Sequence, residues 1–134
     1  MKKAVIFDMY GVLVRRNFFI AERENDEVVA IVKELKERGV RLFLLSNIFI
    51  WDSAHFLRKF PSLQLFEKCY FSSDTGLAKP SPAAYQKVLE ENGLNPEDCV
   101  FFDDTRANVE GAKALGIETH VFEDVTAVRK VLGM

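Results

Sequence analysis

The run Ala4-Val5-Ile6-Phe7 is apolar at every position and stops on a carboxylate, Asp8, with Gly11 close behind. A stretch that is apolar at consecutive positions, and not at alternate ones, suits a strand covered on both faces, as in a parallel sheet. Such a strand delivers Asp8 to its exit, where a glycine lets the chain turn. The pattern recurs. Leu42-Phe43-Leu44-Leu45 leads into Ser46-Asn47, and Val100-Phe101-Phe102 leads into Asp103-Asp104. Buried strands that each hand polar groups to one edge predict a cleft along that edge.

Helical patterns separate the strands. Strands are expected over about residues 3–7, 41–45, 68–71, 99–102 and 118–122. Asp26 is placed to cap a helix whose Val28, Val29, Ile31, Val32 and Leu35 share one side, and Gly39 stops it. A second helix spans about 51–60 and closes at Pro61; Ser81-Pro82 opens a third, which Gly93 ends. A fourth covers about 107–115 before Gly116, and Asp124 caps a last one over about 125–131. Strand and helix alternating through short connections give parallel strands joined by right-handed crossovers. The expected fold is therefore α/β: a doubly wound, Rossmann-like parallel sheet of five strands with helices on both faces. Ligands of such sheets bind outside the carboxyl ends of the strands, where the strand order reverses.

A chain of 134 residues suits one domain, 1–134, with one core. A net charge of −2 gives no electrostatic footprint for nucleic acid or an anionic membrane, so neither is an expected partner. No apolar run approaches the roughly 20 residues of a membrane span, and the apolar run after Met1-Lys2-Lys3 is too short for a signal peptide. The expected location is the cytoplasm. Cys69 and Cys99 stand in apolar contexts without metal-ligand spacing and read as buried thiols. Phe56, Phe60, Phe66 and Phe71 read as core, and His120 as structural.

Asp8, Asp103 and Asp104 bring three carboxylates to one cleft, and like charges that close repel unless a proton or cation intervenes. Lys79 offsets one of them. The remainder calls for a divalent ion, and all-oxygen ligands favour Mg2+. A hard cation, a nucleophilic carboxylate, a lysine and the Ser46 hydroxyl together suit a phosphoryl group. Asp8 would attack phosphorus to give an aspartyl-phosphate that water then hydrolyses.

Phe7-Asp8-Met9-Tyr10-Gly11-Val12-Leu13, Leu44-Leu45-Ser46-Asn47, Lys79-Pro80 and Phe101-Phe102-Asp103-Asp104 resemble, in order, the four motifs of the haloacid dehalogenase (HAD) superfamily. Gly76-Leu77-Ala78-Lys79-Pro80 with Tyr85, then Asn108, Gly111-Ala112 and Leu115-Gly116, are similar to the branch holding alpha-glucose-1-phosphate phosphatase and the N-terminal phosphatase domain of soluble epoxide hydrolase. The resemblance implies a Mg2+-dependent phosphatase acting on a small phosphorylated metabolite or a bulkier phosphorylated substrate. It makes Asp8 the nucleophile and gives catalytic roles to Tyr10, Ser46 and Lys79. Ser46, Asn47 and Lys79 would hold the phosphoryl group. Asp8, Asp104 and the backbone carbonyl of Tyr10 would bind Mg2+, with Asp103 acting mainly through a water. Asn108 would support them from behind.

The chain departs from that pattern twice. Most family phosphatases carry an acid-base aspartate where this chain has Tyr10, and a phenol of pKa near 10 serves poorly. Turnover is therefore expected to be slow and to favour good leaving groups. A tyrosine here also resembles the 2-haloacid dehalogenases, but their fourth motif is a serine-asparagine pair with a later aspartate, they need no metal, and Asp103-Asp104 would repel a haloacid carboxylate unless a cation were bound. A non-catalytic member that binds a phosphorylated ligand or partner is the other alternative. Secondly, residues 14–25 suffice for a hairpin flap where relatives insert a cap domain. The open site implies a bulky substrate, loose specificity, or a homo-oligomer whose second subunit covers the cleft. Phe18-Phe19-Ile20 are candidates for such a contact. Arg15, Arg16 and Arg106 read as solvated charges, and Trp51 and His55 as rim or core packing on one helix face, with a place at the border of the open site as the alternative for Trp51.

Overall fold

The computed structural model describes residues 2–15 and 22–134. Phe18-Phe19-Ile20 and Arg16 lie outside the described residues. The chain alternates as its apolar runs dictate: β1 (Ala4–Phe7), β2 (Val14–Arg15), β3 (Arg23–Glu24), α1 (Asp26–Glu37), β4 (Arg41–Ser46), α2 (Ser53–Lys59), β5 (Lys68–Phe71), α3 (Ser72–Thr75), α4 (Pro82–Glu91), β6 (Cys99–Asp103), α5 (Arg106–Lys113), β7 (Glu118–Val121) and α6 (Val125–Leu132). The main sheet has the order β5-β4-β1-β6-β7, and every pairing in it is parallel. Its order reverses at β1, so the cleft of a doubly wound sheet opens beside the exit of β1.

Period-two geometry divides the apolar strands between two cores. Val5 and Phe7 of β1 face a core closed by Val28, Ile31, Val32 and Leu35 of α1, Phe56 of α2, and Val128 and Leu132 of α6. Ala4 and Ile6 face the other, built on Tyr85, Val88 and Leu89 of α4 and Ala112 of α5. Both faces of β1 are thus fully buried. Phe56, Phe60, Phe66 and Phe71 all join the first core, as their pattern indicated.

The register then sets the height of each functional group. Phe7 lies level with Leu44 on one side and with Phe102 on the other. One residue further on, Asp8, Leu45 and Asp103 leave three adjacent strands at the same level. β2 and β3 form a small antiparallel ribbon within the interval expected to hold a flap.

The structure corrects three local expectations. The residue at the N-cap of α1 is Asn25, and Asp26 is already helical. Trp51 is not on α2: Asp52 is the N-cap, its side chain accepting a bond from the His55 amide, so Trp51 stays in the preceding loop. Of the two cysteines only Cys99 is buried, while Cys69, on β5 at the sheet edge, is half-buried. Their thiols are pushed up by burial, to about 12 for Cys69 and about 11 for Cys99, and stay protonated at neutral pH. Among the described residues no helix is long and apolar enough to cross a membrane.

Gly111 fixes how α5 meets the segment that carries Lys79. A Cβ there would lie 2.9 Å from both Cβ and the carbonyl oxygen of Pro80. Gly111→Val is expected to destabilise the fold by about 1–3 kcal/mol through overpacking, read as a lower urea midpoint. An unchanged midpoint would mean that α5 does not bear on Pro80.

Candidate active site

Asp8, level with Leu45 and Asp103, is drawn into one hydrogen-bonded knot by Lys79. The Lys79 ammonium, almost fully buried, donates to Asp8 Oδ1 at 2.9 Å, Asp103 Oδ2 at 2.8 Å and the Leu45 carbonyl at 2.7 Å. An ammonium has three donors, and all three are engaged. Lys79 therefore ties together the exits of β1, β4 and β6, and where one neutralised carboxylate was expected it meets two. Its own backbone is clasped by Asn47: the Lys79 amide donates to Asn47 Oδ1 (2.9 Å) and Asn47 Nδ2 donates to the Lys79 carbonyl (2.8 Å). Asn47 thus positions Lys79 from the end of β4.

The two adjacent aspartates have different surroundings. Asp103 is fully buried and accepts from Lys79, from the Thr105 amide at 2.8 Å and from Asn108 Nδ2 at 3.2 Å. Those bonds occupy its oxygens and turn the chain into α5. The carbonyl of Asn108 accepts from the Tyr85 hydroxyl at 2.7 Å, which joins α4 to this shell. Asp104 is exposed and leans over Gly11, whose φ of +89° and missing side chain make room for the carboxylate. Ser46, at the end of β4, is buried level with Phe71.

Ligand oxygens of Asp8, Asp103 and Asp104 lie within 4.8 Å of one another. One ammonium cannot balance three carboxylates. Burial of Asp8, followed by repulsion from Asp103 and Asp104, outweighs the attraction of Lys79 and raises its carboxyl to about 7. The three carboxylates around one ammonium leave an excess of negative charge, and an oxygen-only donor set matches a hard divalent cation.

Tyr10, two positions beyond Asp8, has its side chain engaged by other partners. Its hydroxyl donates to Glu22 Oε2 at 2.9 Å, Lys59 pairs with the same oxygen at 2.7 Å, and its ring meets Phe56 and Phe60 edge-on. Glu22 was not singled out in the sequence. Nothing in its pattern marked it, since Tyr10 and Lys59 come from the loop after β1 and from α2. His55 stacks on Trp51 at 4.4 Å. His120 stacks on Phe102 and pairs with Glu118, in keeping with a structural role, and Arg15 and Arg106 are exposed.

Residues 15–116 match the model of the haloacid dehalogenase-like hydrolase family. The chain belongs to that family. It is 30% identical over 112 residues to phosphatase MT3486 of Mycobacterium tuberculosis, covering 83% of this chain and 52% of that protein. It is 30% identical over 104 residues to the phosphorylated carbohydrates phosphatase of Thermotoga maritima, covering 78% of this chain and 48% of that one. The chain thus spans about half the length of these curated relatives. Among solved structures, the HAD enzyme BT-2542 of Bacteroides thetaiotaomicron, complexed with magnesium and inorganic phosphate, superposes with a TM-score of 0.74 at 19% identity. That match covers 96% of this chain and 99% of the other, and at that identity it speaks for the fold.

The raised Asp8 carboxyl gives a stability test. Folded Asp8 holds its proton up to about pH 7, whereas an unfolded aspartate releases it near 3.8. The metal-free protein therefore loses stability as pH rises from about 4 to about 7. Asp8→Asn removes that loss, so in EDTA its Tm should exceed the wild-type value by more at pH 8 than at pH 5. Mg2+ should close the gap by raising the wild-type Tm. A gap independent of pH would show that Asp8 is not the strained group.

Proposed function

We propose that this chain is a Mg2+-dependent phosphomonoester hydrolase working through an aspartyl-phosphate on Asp8. The observation that carries the reading is the buried nucleophile candidate clasped by Lys79 amid an excess of carboxylates. The phosphatases among its relatives support a phosphorylated substrate.

Asp8, Asp104 and the carbonyl of Tyr10 would hold the ion, with Asp103, its oxygens already occupied, in an indirect role. A bound Mg2+ would offset the charge of the phosphoryl oxygens and of the carboxylates they approach. Lys79 fixes Asp8 through Oδ1, which makes the other carboxylate oxygen the nucleophile. That oxygen forms the new bond to phosphorus while the bond from phosphorus to the alcohol oxygen breaks. Ser46 donates to a phosphoryl oxygen. Lys79 acts as a fixed positive charge, because a phosphoryl oxygen gains a bond from it only by displacing one of its three acceptors. Asn47 contributes by holding Lys79. Water then cleaves the acyl phosphate, releasing inorganic phosphate and restoring Asp8.

Tyr10 sets the rate. Its hydroxyl is committed to Glu22, so the leaving alkoxide departs without an acid from this position. Aryl and acyl phosphates, whose leaving groups need no proton, are favoured. The same observation supports a second reading, a phosphate-ligand binder without turnover. The dehalogenase reading is disfavoured, because 2-haloacid dehalogenases work without a metal, and without a cation these carboxylates would repel the haloacid.

Phosphate release from para-nitrophenyl phosphate and acetyl phosphate, with Mg2+ and with EDTA, tests the proposal. Release should require Mg2+ and fall by at least about 10³-fold in Asp8→Asn. Release from neither compound, with Mg2+ still raising the Tm, would favour the binder. Tyr10→Asp should raise turnover of alkyl phosphates by about 10²–10⁴-fold. No gain would mean that the missing acid does not limit the rate.

A further inference from the structure

Resting on the phosphatase reading, the structure also points to the alcohol half of the substrate. Between Asn47 and α2 the chain exposes three large apolar side chains in a row, Phe49 (76%), Ile50 (83%) and Trp51 (53%). Scattered surface apolar residues need no explanation, but a contiguous group beside a functional cleft marks a contact surface. These three, with Tyr10, Asn47 and Phe56, line a cleft of about 290 Å³.

The loop that carries them is tied down from beneath. The Ser72 hydroxyl donates to the Ile48 carbonyl at 2.7 Å and accepts from the Ile48 amide at 2.8 Å. Ser73 Oγ donates to the Trp51 carbonyl at 2.5 Å. The indole is steadied by its stack on His55, 15° from parallel. Backbone polar groups are thus satisfied at both ends of the segment while its apolar side chains face outward. A platform ordered before its ligand arrives loses little freedom on binding.

Two residues that line the cleft also neighbour the phosphoryl site. Asn47 lines it and clasps the backbone of Lys79, whose ammonium holds Asp8. Tyr10 lines it two positions beyond Asp8. A phosphomonoester seated on Asp8 would direct its alcohol group along this wall. We infer that the cleft seats that group, and that the substrate is the phosphomonoester of an apolar alcohol, aromatic or aliphatic, and not of a sugar or polyol. The volume equals about ten waters at ~30 Å³ each, enough for a fused ring pair or a chain of similar bulk. Of the charged groups that also line it, Glu22 accepts from both Lys59 and the Tyr10 hydroxyl.

The test uses the full Mg2+-loaded chain and alcohols of similar basicity, so that leaving-group chemistry stays constant. Ethyl, hexyl and 2-naphthylmethyl phosphates are compared with glycerol 3-phosphate, with acetyl phosphate as the reference for turnover. The kcat/KM should rise at least about tenfold from ethyl to hexyl phosphate, through the four added methylenes. Phe49→Ser with Ile50→Ser should bring that ratio close to one. A larger gain for the naphthylmethyl ester identifies an aromatic alcohol, and a larger gain for hexyl an aliphatic one. A flat series with acetyl phosphate still hydrolysed overturns this inference alone, as does preference for glycerol 3-phosphate. If acetyl phosphate is not hydrolysed, the phosphatase reading fails and binding decides. Trp51 is the chain's single tryptophan, so hexyl phosphate should shift its fluorescence saturably where inorganic phosphate and hexanol do not. No shift overturns the inference. So does a dimer that the double variant converts to monomer, since a second copy would then be what covers the platform.

Discussion

The site depends on one buried ammonium. Lys79 bonds to groups at the exits of β1, β4 and β6, and its acceptors are two aspartates and a strand-end carbonyl. Removing that ammonium would leave two buried aspartates uncompensated, at a cost of about 3–5 kcal/mol. The surrounding polar bonds read as devices for holding that ammonium in place. Asn47 fixes its backbone, Asn108 and the Thr105 amide fix Asp103, and Gly111 lets Pro80 settle against α5. The clasp aims Asp8 but leaves the site negative, and burial together with repulsion from Asp103 and Asp104 raises the Asp8 carboxyl.

Much of this was legible because it depends on periodicity and register. Runs such as Ala4-Val5-Ile6-Phe7 suit strands buried on both sides, and five such strands alternating with helices suit an open, doubly wound sheet. Once β1 is known to pair with β4 and β6, Asp8, Leu45 and Asp103 must emerge together. The candidate residues Asp8, Ser46, Asp103 and Asp104 stand at those exits, so their convergence was readable before any contact was known. What stayed hidden depends on contacts across the chain. The division of labour between Asp103 and Asp104 follows from which of them α5 engages. The tie between Glu22, Tyr10 and Lys59 joins three separate elements. Asn25, not Asp26, precedes α1, because either residue type suits a cap and only the backbone path decides.

Trp51 shows the limit most clearly. Its spacing from His55 fits one helix face, and the two rings do stack. The stack forms across the cap, however, with Asp52 starting the helix after the indole. That one-turn difference matters, because a helical Trp51 would pack on its own element, whereas a loop Trp51 extends the row begun by Phe49 and Ile50. The anchors Ser72 and Ser73 follow β5 and lie far along the chain, and no local pattern reveals them.

Charge and apolar surface therefore meet at Asn47. On one side its carboxamide organises a cluster whose excess negative charge suits a cation and a phosphoryl group. On the other side begins a wall of exposed apolar side chains with its backbone pinned. Interactions with a part of the substrate remote from the reacting bond can supply the orientation that the reacting bond needs. A chain with Tyr10 in place of an acid has more need of that contribution. Phosphoryl transfer relies on positioning and electrostatics more than on covalent help, so a site weak in proton transfer can still gain from a rigid platform that aligns the leaving group with Asp8. The loss at Tyr10 and the apolar row after Asn47 are then two consequences of one arrangement. The ring that displaced the acid forms part of the wall, packed on Phe56 and Phe60 and facing the cleft that the apolar row completes.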